Sequence, residues 1–341
     1  MISKYVNVPS RLKLRSQYPN FAGVLLKKIR VAVLGYGHLG KWHAQKAESF
    51  PDIVELKCIV ETLPSGIEAA KRAHPGALIV DDISKCINDI DAVVVVTPAS
   101  HHFEIVDFLL KNNKHVLCEK PLTETTAQAL KLKKSLRGSN LVLQVGHSER
   151  FHQAWESRKK YKEFFKSPAH ITIKRMGPFK GRATDVDVVQ DLMIHDLDLL
   201  VYLFGEKPIS VESVGCKVRT KFNDYVSSNF KFKSGHKATI SVGRNQTKEV
   251  REIEIFSKLG TLRIDLIKGE IEEALGSHTF PEFVRIETYE KLDLLMLEHR
   301  HFYDSILNGK KPIVSIEDGL LAVRLSNKVI ESVESGNVVS I

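Results

Sequence analysis

The residues with the clearest chemical use are Gly35-Tyr36-Gly37-His38-Leu39-Gly40, a G-x-G-x-x-G run between a β-branched stretch and an apolar-periodic one. Glycines at these places let the chain turn tightly and let a pyrophosphate approach bare backbone N–H groups at a helix N-terminus. The next strand-like stretch ends at Glu61, twenty-one residues beyond Gly40. A carboxylate there accepts hydrogen bonds from an adenosine ribose and repels a 2′-phosphate, and no Arg follows it, so the cofactor expected is NAD rather than NADP. A plain glycine turn with a helix-capping acid uses the same residue types.

Three further polar groups fall where such a sheet would present them. Thr97-Pro98-Ala99-Ser100-His101-His102 follows an apolar strand, and Thr97 and Pro98 can shape a loop beside the cofactor; a proline turn with Ser100 capping a helix fits equally. His101 and His102 make a poor metal pair, because adjacent helical residues diverge and no partner spacing accompanies them, so no metal site is expected. Glu119-Lys120-Pro121 follows the fifth strand and puts an ammonium at the same edge, where it can stabilise an alkoxide or lower the pKa of a hydroxyl. In Asp191-Leu192-Met193-Ile194-His195-Asp196-Leu197-Asp198, the residues Asp191, His195 and Asp198 stand at i, i+4 and i+7 and share one helix face. A histidine backed by a carboxylate moves hydroxyl protons near neutral pH, although a lone histidine on such a helix also serves in packing.

These groups need a scaffold, and the pattern supplies one. Strands are expected at Arg30–Leu34, Val54–Val60, Leu78–Val80, Ala92–Val96, His115–Cys118 and Leu141–Gln144, separated by helices at Leu39–Ser49, Ser65–Ala73, Phe103–Asn112 and Glu124–Leu136. Ala92–Val96 is apolar throughout, as befits a strand buried on both faces of a parallel sheet. After Phe151 the texture changes. A charged helix (Trp155–Lys166), a strand (His170–Arg175) and a helix (Val188–Phe204) precede strands at Ser210–Val218, Val226–Lys233, Lys237–Gly243, Arg251–Ser257 and Thr261–Leu266, spaced by turn signals as in an antiparallel meander. Helices over Tyr289–Leu307 and Ile316–Ser335 close the chain.

Taken in this order and spacing, the four constellations resemble those of the Gfo/Idh/MocA family, the glucose-fructose oxidoreductase and inositol dehydrogenase group, from about Lys28 to the C-terminus. Gly35, Gly37 and Gly40 match its dinucleotide turn, Thr97-Pro98 with His101 its T-P-x-x-H loop, Glu119-Lys120-Pro121 its E-K-P signature, and Asp191 with His195 its D-x-x-x-H element. The resemblance implies an α/β fold: an N-terminal Rossmann doubly wound parallel sheet over 29–149, then an α/β domain over 150–341 with a large, mostly antiparallel open sheet through which a homo-dimer or homo-tetramer assembles. It also implies Lys120, Asp191 and His195 around the nicotinamide, with Tyr36, His38, Leu39, Glu61, Thr97, Pro98, His101 and Glu119 beside the cofactor. Which of Lys120 and His195 accepts the proton is left open. The runs Val145–Phe151 and Asp185–Asp196 resemble a branch that includes UDP-N-acetylglucosamine 3-dehydrogenases. For a diphosphate-bearing substrate, Arg150, Lys174, Arg175, Lys180 and Arg182 are candidate countercharges; a solvated basic loop is the plainer use. The activity expected is NAD-dependent oxidation of a ring secondary alcohol of a sugar to the keto sugar, with a UDP-sugar such as UDP-N-acetylglucosamine, at C3, as the first candidate. The alternatives are a free-sugar or inositol enzyme and, of another class, a non-catalytic NAD-binding regulator.

Composition agrees. The chain has 341 residues, 43% hydrophobic and 27% charged, an ordinary globular composition with room for about two domains. Seven Lys and Arg and no acid lie in the first thirty residues, so the net charge of +9 belongs mostly to the N-terminus and the body is nearly neutral. With no zinc finger or RNP signature either, nucleic-acid binding is not expected. Residues 1–28 read as a basic arm, mobile or embracing another subunit, since Pro9 and Pro19 oppose the amphipathic helix of a transit peptide. Cys58, Cys86, Cys118 and Cys216 are too scattered for a disulfide framework, and no apolar run is long enough for a membrane span, so a cytoplasmic enzyme is expected.

Overall fold

The computed structural model describes residues 27–165, 168–181, 186–276 and 283–341. Most of the N-terminal basic arm, and Arg182, lie outside the described residues.

The first sheet is built from β1 (Ile29–Leu34), β2 (Val54–Val60), β3 (Leu78–Val80), β4 (Ala92–Val95), β5 (His115–Glu119) and β6 (Leu143–Gly146), all parallel in the order β3-β2-β1-β4-β5-β6. The helices between them are α1 (His38–Glu48), α2 (Pro64–Ala73), α3 (His102–Lys111) and α4 (Thr126–Leu136). Alternation along a strand feeds two separate cores: Ala32, Leu34, Val93 and Val95 pack into one, Val31, Val33, Ala92 and Val94 into the other. A sheet covered on both faces requires this continuous apolar run. Strand order reverses between β1 and β4, and ligands bind at the carboxyl ends of strands flanking such a switch point.

The second sheet has nine strands: β7 (His170–Met176), then, after α5 (Ile194–Phe204), β8 (Pro208–Cys216), β9 (Tyr225–Phe232), β10 (Lys237–Gly243), β11 (Val250–Ser257), β12 (Gly260–Asp265), β13 (Glu270–Leu275) and β14 (Phe283–Thr288), and finally β15 (Val339–Ser340). Their order is β14-β13-β12-β11-β7-β10-β9-β8-β15, antiparallel except for β7 beside β10. Between β14 and β15 run α6 (Leu294–Asn308) and α7 (Ile316–Ser335). Inward residues such as Ile171, Ile173, Ile253 and Ile255 meet α5 and α7 in one core. No helix among the described residues is long and apolar enough to cross a membrane.

The two C-terminal helices return to the first sheet. Phe302 and Tyr303 of α6 enter one of its cores, and Val323 of α7 the other, whereas Leu325 and Val329 of α7 enter the core of the second sheet. A boundary at 149/150 therefore separates the sheets but not the packing. The glycine inside α7 has its reason here: a Cβ on Gly319 would stand 2.7 Å from a methyl of Val145 on β6.

Three expectations are corrected. The charged stretch after Trp155 forms two 3₁₀ segments, Gln153–Lys159 and Lys162–Phe165, rather than one helix. The helix over Val188–Phe204 starts with a π turn, Val189–Met193, before α5. The strands β13 and β14 were not expected, because Glu270-Ile271-Glu272-Glu273 reads as solvated chain. Pairing with β12 rather than local propensity makes β13 a strand.

Candidate active site

At the switch point the turn after β1 is fixed by two close approaches. Gly35 has φ +98°, and a Cβ there would lie 2.7 Å from the carbonyl oxygen of Val96; a Cβ on Gly40 would lie 2.1 Å from the carbonyl oxygen of Gly35. Gly37 differs, for a Cβ there would meet nothing within 4 Å. Packing within the chain does not require glycine at this position; a ligand laid against the backbone does. Gly37 caps α1 with no side-chain hydrogen bond, and the first turn carries no acid, so its N–H groups and positive dipole end remain free for an anion. The pyrophosphate of a dinucleotide fits this cradle.

Glu61 ends β2 where expected. One carboxylate oxygen accepts the N–H of Tyr36 at 2.8 Å, the other those of Thr62 and Leu63, each at 2.8 Å. It thus ties the glycine turn to the neighbouring strand end. Thr97 and Pro98 follow β4, with Thr97 Oγ1 buried and unpartnered. In the same loop His101 is exposed, and the built-in residue is His102, whose ring nitrogens lie 2.9 Å from the Thr97 carbonyl oxygen and 2.8 Å from that of Pro121. Sequence reasoning weighed His102 only as a metal ligand and missed this bridge.

Lys120 and Asp191 come together across the two halves of the chain. Lys120 Nζ donates to the Asp191 carbonyl oxygen at 2.6 Å and lies 3.3 Å from Asp191 Oδ1. The π turn puts this carbonyl at the cleft, and such bulges are frequent at functional sites. Four residues on, His195 is held neutral: burial pushes its pKa well below the ordinary histidine value, and the positive charges of Lys120 and Arg175 add to this. Its Nδ1 is buried and unpartnered. The carboxylate expected behind it is absent, since Asp191 turns to Lys120 and Asp198 to Arg150.

His147, just beyond β6, is a site residue that sequence reasoning did not single out. It is 1% exposed, neither ring nitrogen has a hydrogen-bond partner, and its ring stands edge-on to His195 with centroids 6.0 Å apart. Burial pushes its pKa down. Only the run Val145–Phe151, noted for its resemblance, pointed to this place.

The basic residues proposed to meet a diphosphate are largely spoken for. Arg150 is bidentate to Asp198 at 2.6 and 2.7 Å, reaches Asp318 at 3.1 Å and lies over the Tyr202 ring. Arg175 holds Asp196 at 2.8–3.1 Å and Glu149 at 2.9 Å from within the core. Lys174 pairs with Glu254 at 3.8 Å and Lys180 with Glu249. The charges of Arg150 and Arg175 are thus met inside the fold by Asp198, Asp318, Asp196 and Glu149, so neither stands as a free countercharge for a diphosphate. Glu119 is bonded within the fold through both its oxygens, to His43 and to the Lys120 N–H.

A parallel six-stranded sheet with a glycine cradle at its switch point, a lysine directly after its fifth strand and a neutral histidine from the open-sheet half define an NAD-binding oxidoreductase that acts on CH–OH groups. The chain belongs to the Gfo/Idh/MocA family. Residues 29–147 match the family model described as an oxidoreductase family with an NAD-binding Rossmann fold, and residues 165–263 match the GFO/IDH/MocA C-terminal domain. Over 283 residues, 82% of this chain and 88% of the relative, it is 31% identical to a UDP-N-acetylglucosamine 3-dehydrogenase of Acidithiobacillus ferrooxidans. The solved structure of that enzyme aligns with a TM-score of 0.82, covering 91% of this chain and 99% of that one at 27% identity. An inositol 2-dehydrogenase of Rhizobium meliloti is 27% identical over 92% of this chain and 99% of its own.

Proposed function

We propose that this protein oxidises a ring secondary alcohol of a UDP-sugar to the ketone, with C3 of UDP-N-acetylglucosamine as the leading candidate. The observation that carries the chemistry is the pairing of a Lys120 ammonium, held by the carbonyl and carboxylate of Asp191, with the His195 imidazole kept neutral by burial. Bound NAD supplies the hydride acceptor. Lys120, with two donors aimed at Asp191, keeps a third for the substrate oxygen and stabilises the charge that develops there. His195 can take the hydroxyl proton through Nε2, the nitrogen that its buried Nδ1 leaves for the cleft. Asp191 orients Lys120 rather than His195. Gly35, Gly37 and Gly40 would hold the pyrophosphate and Glu61 the ribose, with Thr97 and Pro98 lining the nicotinamide side.

The substrate class rests on the 31% identical relative. A second reading, oxidation of a free sugar or inositol, is favoured by the internal pairing of Arg150 with Asp198 and of Arg175 with Asp196, which already meets the charge a diphosphate would seek. We further propose that the open face of the second sheet meets a second copy of the chain. The deciding experiment follows nicotinamide reduction on mixing protein and NAD with UDP-N-acetylglucosamine, other UDP-sugars, free sugars and inositols, with an aminotransferase and glutamate present to draw the ketone forward. Reduction with UDP-sugars alone is the expected result, and reduction with inositol or free sugars alone overturns it.

A further inference from the structure

Behind Lys120 four buried side chains form a single hydrogen-bonded row. Glu119 Oε1 lies 3.1 Å from His43 Nε2, His43 Nδ1 2.9 Å from His299 Nε2, and His299 Nδ1 3.0 Å from the Tyr303 hydroxyl. His43, His299 and Tyr303 are completely buried and Glu119 is 8% exposed. The row joins β5 to α1, the helix of the glycine turn, and to α6.

One boundary condition fixes the protons along it. Glu119 is ionised: its bond from His43 and the charge of Lys120 outweigh burial and hold its pKa low. A carboxylate only accepts, so His43 carries its proton on Nε2 and accepts at Nδ1. His299 must then donate from Nε2 and accept at Nδ1 from the Tyr303 hydroxyl. Burial supports both neutral forms, pushing the phenol up and the His299 imidazole far down. Protonating His43 would reverse every bond beyond it and leave the Tyr303 O–H, which has no other partner among the described residues, as an unpaired donor in the core. That penalty makes the row one-way.

We propose that His43, His299 and Tyr303 are positioning residues that lock Glu119 as an oriented anion and through it set Lys120, whose backbone N–H donates to Glu119 Oε2 at 3.1 Å. The row is not an exit for the substrate proton, because it ends at Tyr303 against Phe50 and Phe302 in the core. No proton leaves any of the four groups. The charged and titratable groups facing it are Lys120, His102, His147, Cys118 and the buried Glu298 beside Glu119, and Lys46 beside His299; burial pushes the Glu298 pKa up. This inference rests on the reading of Lys120 as the group that stabilises the alkoxide.

The test uses the full chain with NAD and compares His299→Gln, His299→Leu and Tyr303→Phe. A glutamine carboxamide donates to His43 Nδ1 and accepts from Tyr303 and so preserves the direction of the row; leucine breaks it, and Tyr303→Phe removes only the terminal donor. The first readout is the ¹⁵N imidazole spectrum of histidine-labelled protein, with His43 assigned by its loss in His43→Asn. The expected result is a His43 with its proton on Nε2 in the native chain and in His299→Gln, but shared between Nδ1 and Nε2 in His299→Leu and Tyr303→Phe. The second readout is the acid limb of the kcat profile, which moves up by about one pH unit in the two broken variants with KM for NAD unchanged. Equal damage from glutamine and leucine, or a His43 form unmoved by the near-isosteric Tyr303→Phe, overturns the proposal. If no alcohol is turned over, the functional reading fails, while the spectrum still decides the row.

Discussion

Within the ten residues from Val189 to Asp198 two kinds of polar group stand side by side. Asp196 and Asp198 are buried and saturated, the first by Arg175 and the second by Arg150, with every bond 2.6–3.1 Å long. Asp191 and His195 are only partly buried, and His195 has no hydrogen-bond partner at all on its buried nitrogen. A complete set of partners marks the first pair as architecture. Asp191 meets only Lys120, and the unpaired His195 nitrogen is a cost a fold otherwise avoids, which fits the proposed role of this pair beside a ligand.

If that contrast is correct, damage to one set should leave the property carried by the other intact. Lys120→Met is expected to lower kcat by about 10²–10³, the loss typical of one donor to a developing oxyanion, and His195→Asn by a similar factor, with NAD binding and melting temperature near those of the native chain. A Lys120→Met protein that turns over normally while binding NAD would remove Lys120 from the mechanism. Arg175→Met should do the reverse. Leaving Asp196 buried without its cation, and Glu149 with only Arg251 at 3.5 Å, is expected to destabilise by about 3–5 kcal/mol, read by urea denaturation. A stable Arg175→Met protein that had lost only UDP-sugar affinity would restore the diphosphate role denied to this residue here.

The glycine turn sharpens the same distinction on a smaller scale. Gly35→Ala and Gly40→Ala push a Cβ into backbone and should lower stability. Gly37→Ala meets nothing and should leave stability unchanged, while weakening NAD by about tenfold or more, close to 1.4 kcal/mol, in a fluorescence titration of the reduced cofactor. Equal NAD affinity in the native and Gly37→Ala chains would break the cradle reading.

What could be read beforehand follows from the range of the forces involved. The first sheet was legible because Ala92–Val95 and its neighbours are apolar at every position, and the turn and Glu61 because their spacing is local. Lys120 and His195 were legible as motifs, but not the division of labour between them. That depends on the π turn, which brings the Asp191 carbonyl to a lysine 71 residues away. The fate of Arg150 and Arg175 was equally hidden, for their partners lie 21 to 168 residues distant and a basic side chain looks the same whether solvated or saturated. The row from Glu119 to Tyr303 needs α6 folded back across the first sheet, which no local pattern reveals.

The smallest effect expected is also the most collective. His102, His115, His147, His152, His170, His195, His236, His299 and His301 all have pKa values pushed below the usual histidine value, in each case with burial as the leading cause. In the unfolded chain each titrates near its ordinary value of about 6.5. As pH falls through that value the unfolded state takes up protons that the folded state refuses, so the stability these residues confer is complete above it and is lost below it. Glu298 acts in the opposite sense, because burial raises its pKa and the folded state holds a proton that the unfolded state has released. With nine histidines on one side and, on the other, Glu298 and Asp196, whose pKa burial also raises, melting temperature should fall between about pH 7.5 and about pH 5.5. His147→Phe, which fills the space of a ring whose nitrogens have no partner, should flatten that slope and abolish turnover if the ring faces the reacting alcohol; a slope unchanged by the substitution would mean that His147 binds protons alike in the folded and unfolded chain and that burial does not lower its pKa.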